Sequence, residues 1–247
     1  MISYDHRGEV AWITLDRPEK TNAVHLDGWQ AIEDGVERAG REARVAILTG
    51  AGDNFSAGDD IGTMAAWEDA DDILELAECV YGAYHAIERA DVPVIAAVDG
   101  IAYGGGLELV IASDLAVATE RSSVSLPEGR LGAYAPFAVE RVRRAAGRKR
   151  MMELVLMGEP INAETARDWG LVNRVVPNGN LEAAVGDLVN AVVQSSKRST
   201  RIAKQHANGD IQFEAERERM VGSFAELFLS GDLEEGVEAF LGSDADD

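Results

Sequence analysis

Two hydrophobic periods alternate along this chain of 247 residues. Residues 2–4 and 10–15 predict two short strands joined at Arg7-Gly8, and Arg17-Pro18 ends the second. Residues 26–39 carry helical spacing, with Leu26, Trp29, Ile32 and Val36 on one face. Residues 45–49 form an unbroken apolar run closed by Gly50-Ala51-Gly52, as expected of a strand buried on both faces. Residues 72–89 read as a long helix, and 93–98, 115–118 and 124–126 as three further buried strands. Strands and helices alternate to about residue 185, which predicts an α/β core with covered sheets. Residues 181–194, 199–207, 213–229 and 233–241 all have helical spacing, with no strand signal among them. The expected division is a core over 1–185 that holds the site, and a helical region over 186–247 that covers the site or joins subunits. No linker rich in Pro, Gly or Ser separates the two, and no repeat or low-complexity segment interrupts them.

Composition narrows the partners. Asp and Glu number 44 against 23 Lys and Arg, a formal charge of −21. Such a field repels phosphate backbones and argues against nucleic-acid binding. Only Lys20, Lys149, Lys197 and Lys204 are lysines. Excess acid with scarce lysine predicts adaptation to high salt, where counterions screen the self-repulsion; a mildly acidic protein without that adaptation is the plainer alternative. Cys79 is the lone cysteine, so an internal disulfide and a cysteine metal cluster are both excluded, and its helical surroundings predict a small buried apolar residue. His6, His25, His85 and His206 lack ligand spacing, and no metal is expected. His25 reads as a helix-start residue, and Asp69, Asp71 and Asp72 as solvated surface. No leader and no bilayer-length apolar run is visible, which predicts a cytoplasmic protein without a membrane partner.

Three loops that follow predicted strands could carry chemistry. The first runs from Gly50 through Phe55, Ser56, Ala57, Gly58, Asp59 and Asp60 to Ile61; its small residues permit close approach to backbone N–H groups, or it is an ordinary surface turn. The second contains Gly104-Gly105-Gly106-Leu107-Glu108, a glycine triplet opening a helix and hence a backbone anion site. Glu108 there is an acid or base, or merely complements the helix dipole. The third is Leu126-Pro127-Glu128-Gly129-Arg130-Leu131-Gly132, where proline and glycine hold Glu128 at a fixed corner; a solvated turn carboxylate paired with Arg130 is the alternative. Two backbone donor sites and two carboxylates are the equipment for holding an enolate oxygen while protons move on neighbouring carbons.

In combination these stretches resemble the crotonase (enoyl-CoA hydratase/isomerase) superfamily over nearly the whole length. Arg17-Pro18 with Asn22-Ala23 is similar to its R-P-x-x-x-N-A segment, and Phe55 to Ile61 to its F-x-A-G-x-D-[IL] loop. Ala102 to Leu109 matches A-x-G-G-G-x-E-L, Ser113-Asp114-Leu115 matches C/S-D-[IL], and Pro127-Glu128 with Leu131-Gly132 matches P-E-x-x-L-G. Gly158, Ile161, Ala163, Ala166 and Gly170-Leu171-Val172 resemble its downstream pattern.

The resemblance implies a spiral of ββα turns with a C-terminal helical trimerisation region, in a homotrimer or homohexamer. It implies a CoA thioester as substrate, with coenzyme A part of that substrate and no separate cofactor. Glu108 and Glu128 become the acid/base pair of a 2-enoyl-CoA hydratase, and the Ala57 and Gly105 N–H groups its oxyanion hole. A double-bond isomerase and a catalytically silent CoA-binding scaffold are the rival readings. Gly58, Asp59, Asp60, Ile61, Gly104 and Pro127 are expected around the thioester, and Arg17 and Lys20 near the CoA phosphates. Two departures stand out. Asp59 replaces a common small Ala beside the oxyanion loop, where a carboxylate opposes developing charge unless it points outward. Tyr134 and Phe137 stand in a bulky run where the family is glycine-rich, and are expected to line the acyl pocket.

Overall fold

The computed structural model describes residues 2–64, 70–209 and 211–243. Asp69 and the acidic 244–247 tail lie outside the described residues. Strands β1 (Ile2–Arg7) and β2 (Val10–Leu15) precede helix α1 (Leu26–Glu42), β3 (Val45–Gly50), and helices α2 (Ile61–Met64) and α3 (Ala70–Arg89). Then come β4 (Val94–Val98), β5 (Ile101–Tyr103), α4 (Gly105–Ala112), β6 (Leu115–Thr119) and β7 (Ser123–Ser125). Helices α5 (Pro136–Ala146) and α6 (Arg148–Met157) lead to β8 (Ile161–Asn162), α7 (Ala163–Asp168) and β9 (Arg174–Val176). Four helices close the described chain: α8 (Leu181–Val193), α9 (Lys197–Ala207), α10 (Phe213–Ser230) and α11 (Asp232–Ser243).

The main sheet has the order β1-β2-β3-β4-β6-β9, and the smaller one β5-β7-β8. The β1–β2 hairpin is antiparallel, and each later pairing in the main sheet is parallel. Both faces of that sheet are buried, which is why its central strands lack a polar alternation. In β3 the pleat sends Ala46 and Leu48 into the main core with Trp29, Ile32 and Tyr84. It sends Val45 and Ile47 to the opposite face, under Val185 and Leu188 of α8. Residue 185, the expected end of the core, thus falls inside a helix that seals the sheet. His25 caps α1 as expected, its side chain accepting from the Gly28 N–H. Cys79 differs from expectation: it is half-buried at the edge of the core.

Charged side chains tie the late helices to the core. Lys204 of α9 is buried and donates to the carbonyls of Ile87 and Val92 at 2.7 and 3.2 Å and to Asp114 at 2.6 Å. Lys197 donates to the carbonyls of Gly40 and Ala43. Buried Arg141 of α5 bridges Glu88 of α3 and Glu216 of α10 through four hydrogen bonds of 2.6–3.2 Å. Helices α10 and α11 then fold back over their own chain. Phe224 and Phe228 cluster with Ile73, Leu233 and Val237. Both aromatic rings are partly buried there, against α3 and α11 of the same chain.

Candidate active site

The first and second loops meet where Gly58 lies against the start of α4. Gly58 has φ +90°, and a Cβ there would stand 2.8 Å from both the Gly105 N and the Tyr103 carbonyl oxygen. Only glycine lets the two backbones touch in this way. The Gly105 N–H opens α4, has no acceptor among the described residues, and lies on the wall of the cavity beside it. The Ala57 N–H differs from expectation: it donates to the Thr21 carbonyl at 2.9 Å. Two residues on, the neighbouring Val24 N–H and Asp60 N–H bond to the Gly58 and Val24 carbonyls, while the Asp59 N–H bonds to no other residue. In this loop it is therefore the Asp59 N–H, which lies beside its own carboxyl, and not the Ala57 N–H, that has no partner on another described residue.

Glu108 lies on α4 and is only 5% exposed. The Tyr84 hydroxyl of α3 donates to its Oε2 at 2.9 Å, and the Ala138 N–H to its Oε1 at 2.8 Å. Ala138 sits in the first turn of α5, where backbone N–H groups lack helical partners and the dipole favours a carboxylate. Burial, followed by the nearby Glu128 carboxyl, pushes the Glu108 carboxyl well above the usual range; the Ala138 and Tyr84 donors oppose that rise.

Glu128 begins the 3₁₀ turn Glu128–Leu131. Both its carboxyl oxygens are buried and neither has a hydrogen-bond partner. Arg130, the neighbour that could have paired with it, instead meets Glu159 at 2.5 Å. Burial, with a smaller contribution from Asp59, raises Glu128 to about 7 against the pull of its own backbone N–H. The Asp59 carboxyl points inward: its Oδ1 accepts from the Trp29 indole at 2.9 Å. Burial lifts it to about 6 despite that bond.

These groups share a cavity of about 90 Å³. Of the residues singled out in the sequence, Ala57, Asp59, Ile61, Gly104, Gly105, Glu108, Pro127, Glu128 and Tyr134 are on its wall; Val80, Phe224 and Leu233 are there too. Phe137 is not. It stacks behind Tyr84, with ring centroids 4.7 Å apart, and faces a neighbouring space of about 360 Å³ between α5 and α10. Arg17 and Lys20, expected near the CoA phosphates, lie outside the wall of this cavity. Arg17 pairs with Asp60 at 2.8 Å and also donates to the Ala23 carbonyl, and Lys20 is exposed. Asp60 in turn accepts from the Gly62 N–H at the start of α2.

Residues 5–244 match the enoyl-CoA hydratase/isomerase family. The chain belongs to that family. Its fold is the crotonase fold: the enoyl-CoA hydratase of Bacillus halodurans superposes with a TM-score of 0.90 over 96% of this chain and 99% of its own, at 20% identity. A carnitinyl-CoA hydratase from Mycobacterium avium shares 37% identity at a TM-score of 0.86, covering 98% of this chain and 95% of its own. The carnitinyl-CoA dehydratase of Salmonella typhi is 33% identical over 243 residues, 94% of this chain and 92% of the relative. Family members act on acyl-CoA thioesters. Among the described residues, no helix is long and apolar enough to cross a membrane, and no group of three or more His, Cys, Asp or Glu is arranged to hold a metal ion.

Tyr84, Trp29 and the Ala138 N–H escaped the sequence reading. Tyr84 was legible only as one apolar position of a long helix. Pro136 at the first position of α5 was the available signal for Ala138, since proline there marks a helix start and hence free N–H groups.

Proposed function

We propose that this protein adds water across the C2–C3 double bond of a 2-enoyl-CoA thioester and catalyses the reverse dehydration. One observation carries the reading: two carboxyls share a small buried cavity, Glu108 fixed by two donors and Glu128 with both oxygens unpartnered. A water between them would supply the partners that Glu128 lacks.

The thioester oxygen would accept from the Gly105 and Asp59 N–H groups, which stabilise the enolate formed on addition. Each such donor contributes roughly 10²–10³ in rate in well-studied acyl-transfer sites. The water oxygen bonds to C3 as one proton passes to the carboxyl pair. A proton from the pair then goes to C2, and the enolate collapses to the saturated thioester. The pair titrates jointly, and its members exchange roles when the reaction reverses. The relatives' names, hydratase and dehydratase, support water as the group added or removed.

Turnover of an enoyl-CoA in ¹⁸O-labelled water tests this, since hydration places the label on C3. Loss of the enoyl-thioester absorbance should accompany incorporation. A double bond that migrates with no label in the product would instead establish the isomerase.

A further inference from the structure

Residues 56–59 run between the Thr21–Val24 segment on one side and β5 with the start of α4 on the other. The Ala57 N–H and the Gly58 carbonyl bond toward the first side, to the Thr21 carbonyl at 2.9 Å and the Val24 N–H at 2.8 Å. The Ser56 carbonyl and N–H bond toward the second, to Tyr103 and Ile101. In a trans peptide the N–H points opposite to the carbonyl, so the Asp59 N–H faces the second side, where the Gly105 N–H opens α4. Gly58 cannot hold this direction by itself. With φ +90° and no Cβ, its own backbone restricts it little. A side chain supplies the restraint. The Gly58 N–H donates to the Ser56 Oγ at 3.0 Å, and the Ser56 hydroxyl gives its one proton to the Asn22 carbonyl at 2.8 Å. Asn22 is anchored in turn: its side chain donates to the Ala51 and Asn54 carbonyls and accepts from the Arg17 N–H, at 2.7–2.9 Å. Ser56 is fully buried and Asn22 nearly so, and solvent reaches neither.

We propose that Ser56 is a positioning residue: its hydroxyl clamps Gly58 so that the Asp59 N–H is presented beside the Gly105 N–H, toward the thioester oxygen. Without the hydroxyl, the Gly58 N–H and the Asn22 carbonyl lose a buried partner, and a turn about Gly58 that relieves them carries the Asp59 N–H away. This rests on the reading of the two N–H groups as the site of the thioester oxygen, but not on hydration, since a double-bond isomerase needs the same enolate.

The test uses acetoacetyl-CoA, which loses a proton from C2 to give an enolate with its own near-ultraviolet absorbance. The bound ester is titrated with pH on the wild type and on Ser56→Ala, and the Kd of free CoA is measured on both. The wild type should form the enolate at lower pH than the ester does in solution. Ser56→Ala should lower the equilibrium constant for the bound enolate about tenfold or more and leave the Kd of CoA unchanged. Should Ser56→Ala fail to fold, Ser56→Cys, whose sulfur accepts only weakly, carries the same comparison. Equal enolate on wild type and variant would overturn the proposal, as would a wild type that binds only the keto form. A variant that loses CoA and enolate in the same proportion would also overturn it, because Ser56 would then merely pack. Enolate lost in the variant, with no enoyl ester hydrated by the wild type, would sink the hydratase reading and leave this one standing. Hydration by the wild type with enolate unchanged in the variant would do the opposite.

Discussion

The hydroxyl of Tyr84 reaches across from α3 to Glu108 on α4 and donates to it at 2.9 Å. Trp29 stands edge-on to the same tyrosine ring, with centroids 5.4 Å apart. The Glu108 carboxyl is thus oriented by a residue that has no place in the glycine motif.

Tyr84→Phe keeps the ring and removes the donor. The Tyr84 hydrogen bond lowers the Glu108 pKa, so its loss should move that carboxyl's titration upward. A hydrogen bond to a charged group contributes about 1.5–3 kcal/mol, so turnover should fall about tenfold or more. The pH–rate profile should shift alkaline along with it. A slower enzyme with an unmoved profile would mean that Tyr84 only packs.

Glu128 provides a stability test. Its carboxyl titrates at about 7 in the fold, above the ordinary value of 4.5. Below 4.5 it is protonated folded or unfolded and nothing changes. As pH rises toward 7 the unfolded chain gives up its proton first, so folding is progressively disfavoured. Glu128→Gln removes that term. It should raise Tm at pH 8, by up to about 3 kcal/mol of stability, and leave Tm unchanged at pH 4. Its turnover should fall by about 10²–10⁴, as should that of Glu108→Gln.

Helix α11 sits directly on the turn that carries Glu128. A Cβ at Gly236 would lie 2.4 Å from the Leu131 backbone, whereas one at Gly242 would meet nothing within 4 Å. Gly236→Ala should therefore destabilise by about 1–3 kcal/mol and raise KM as Leu233 moves from the cavity wall. Gly242→Ala is the control and should melt like the wild type.

The −21 charge should make stability depend on salt. The midpoint of thermal unfolding is expected to rise markedly from dilute buffer to molar KCl. A flat response would remove salt adaptation as the meaning of the acidity.

The chain should assemble as a homotrimer or a dimer of trimers. Phe224 and Phe228 are only partly buried within the chain, Leu229 is 79% exposed and Leu156 73%. Light scattering should report three or six copies, and an active monomer would contradict the assignment.

The alternating core was legible because strands buried on both faces write continuous apolar runs; the predicted 45–49 run emerged as β3 (Val45–Gly50). The two glutamates were legible because glycine and proline fix their backbone. Backbone donors were harder to read. Ala57 and Asp59 lie two residues apart in one loop, and only the pairing with Thr21 and Val24 decides which N–H stays open. The inward turn of Asp59 was equally hidden, since Trp29, thirty positions away, supplies its donor. Helices α5 and α6 are not among the elements predicted above, and α5 delivers Ala138 to Glu108.

Half of the lysines in this chain lie on α9 with their amines folded inward: Lys204 against Asp114 and two carbonyls, Lys197 against two more. The other two, Lys20 and Lys149, are exposed. An acylating reagent applied to the native protein would mark that exposed pair, and label on α9 would accumulate only as fast as the helix lifts from the body. The protein thereby carries its own clock for the detachment of its C-terminal helices, readable peptide by peptide in a mass spectrometer.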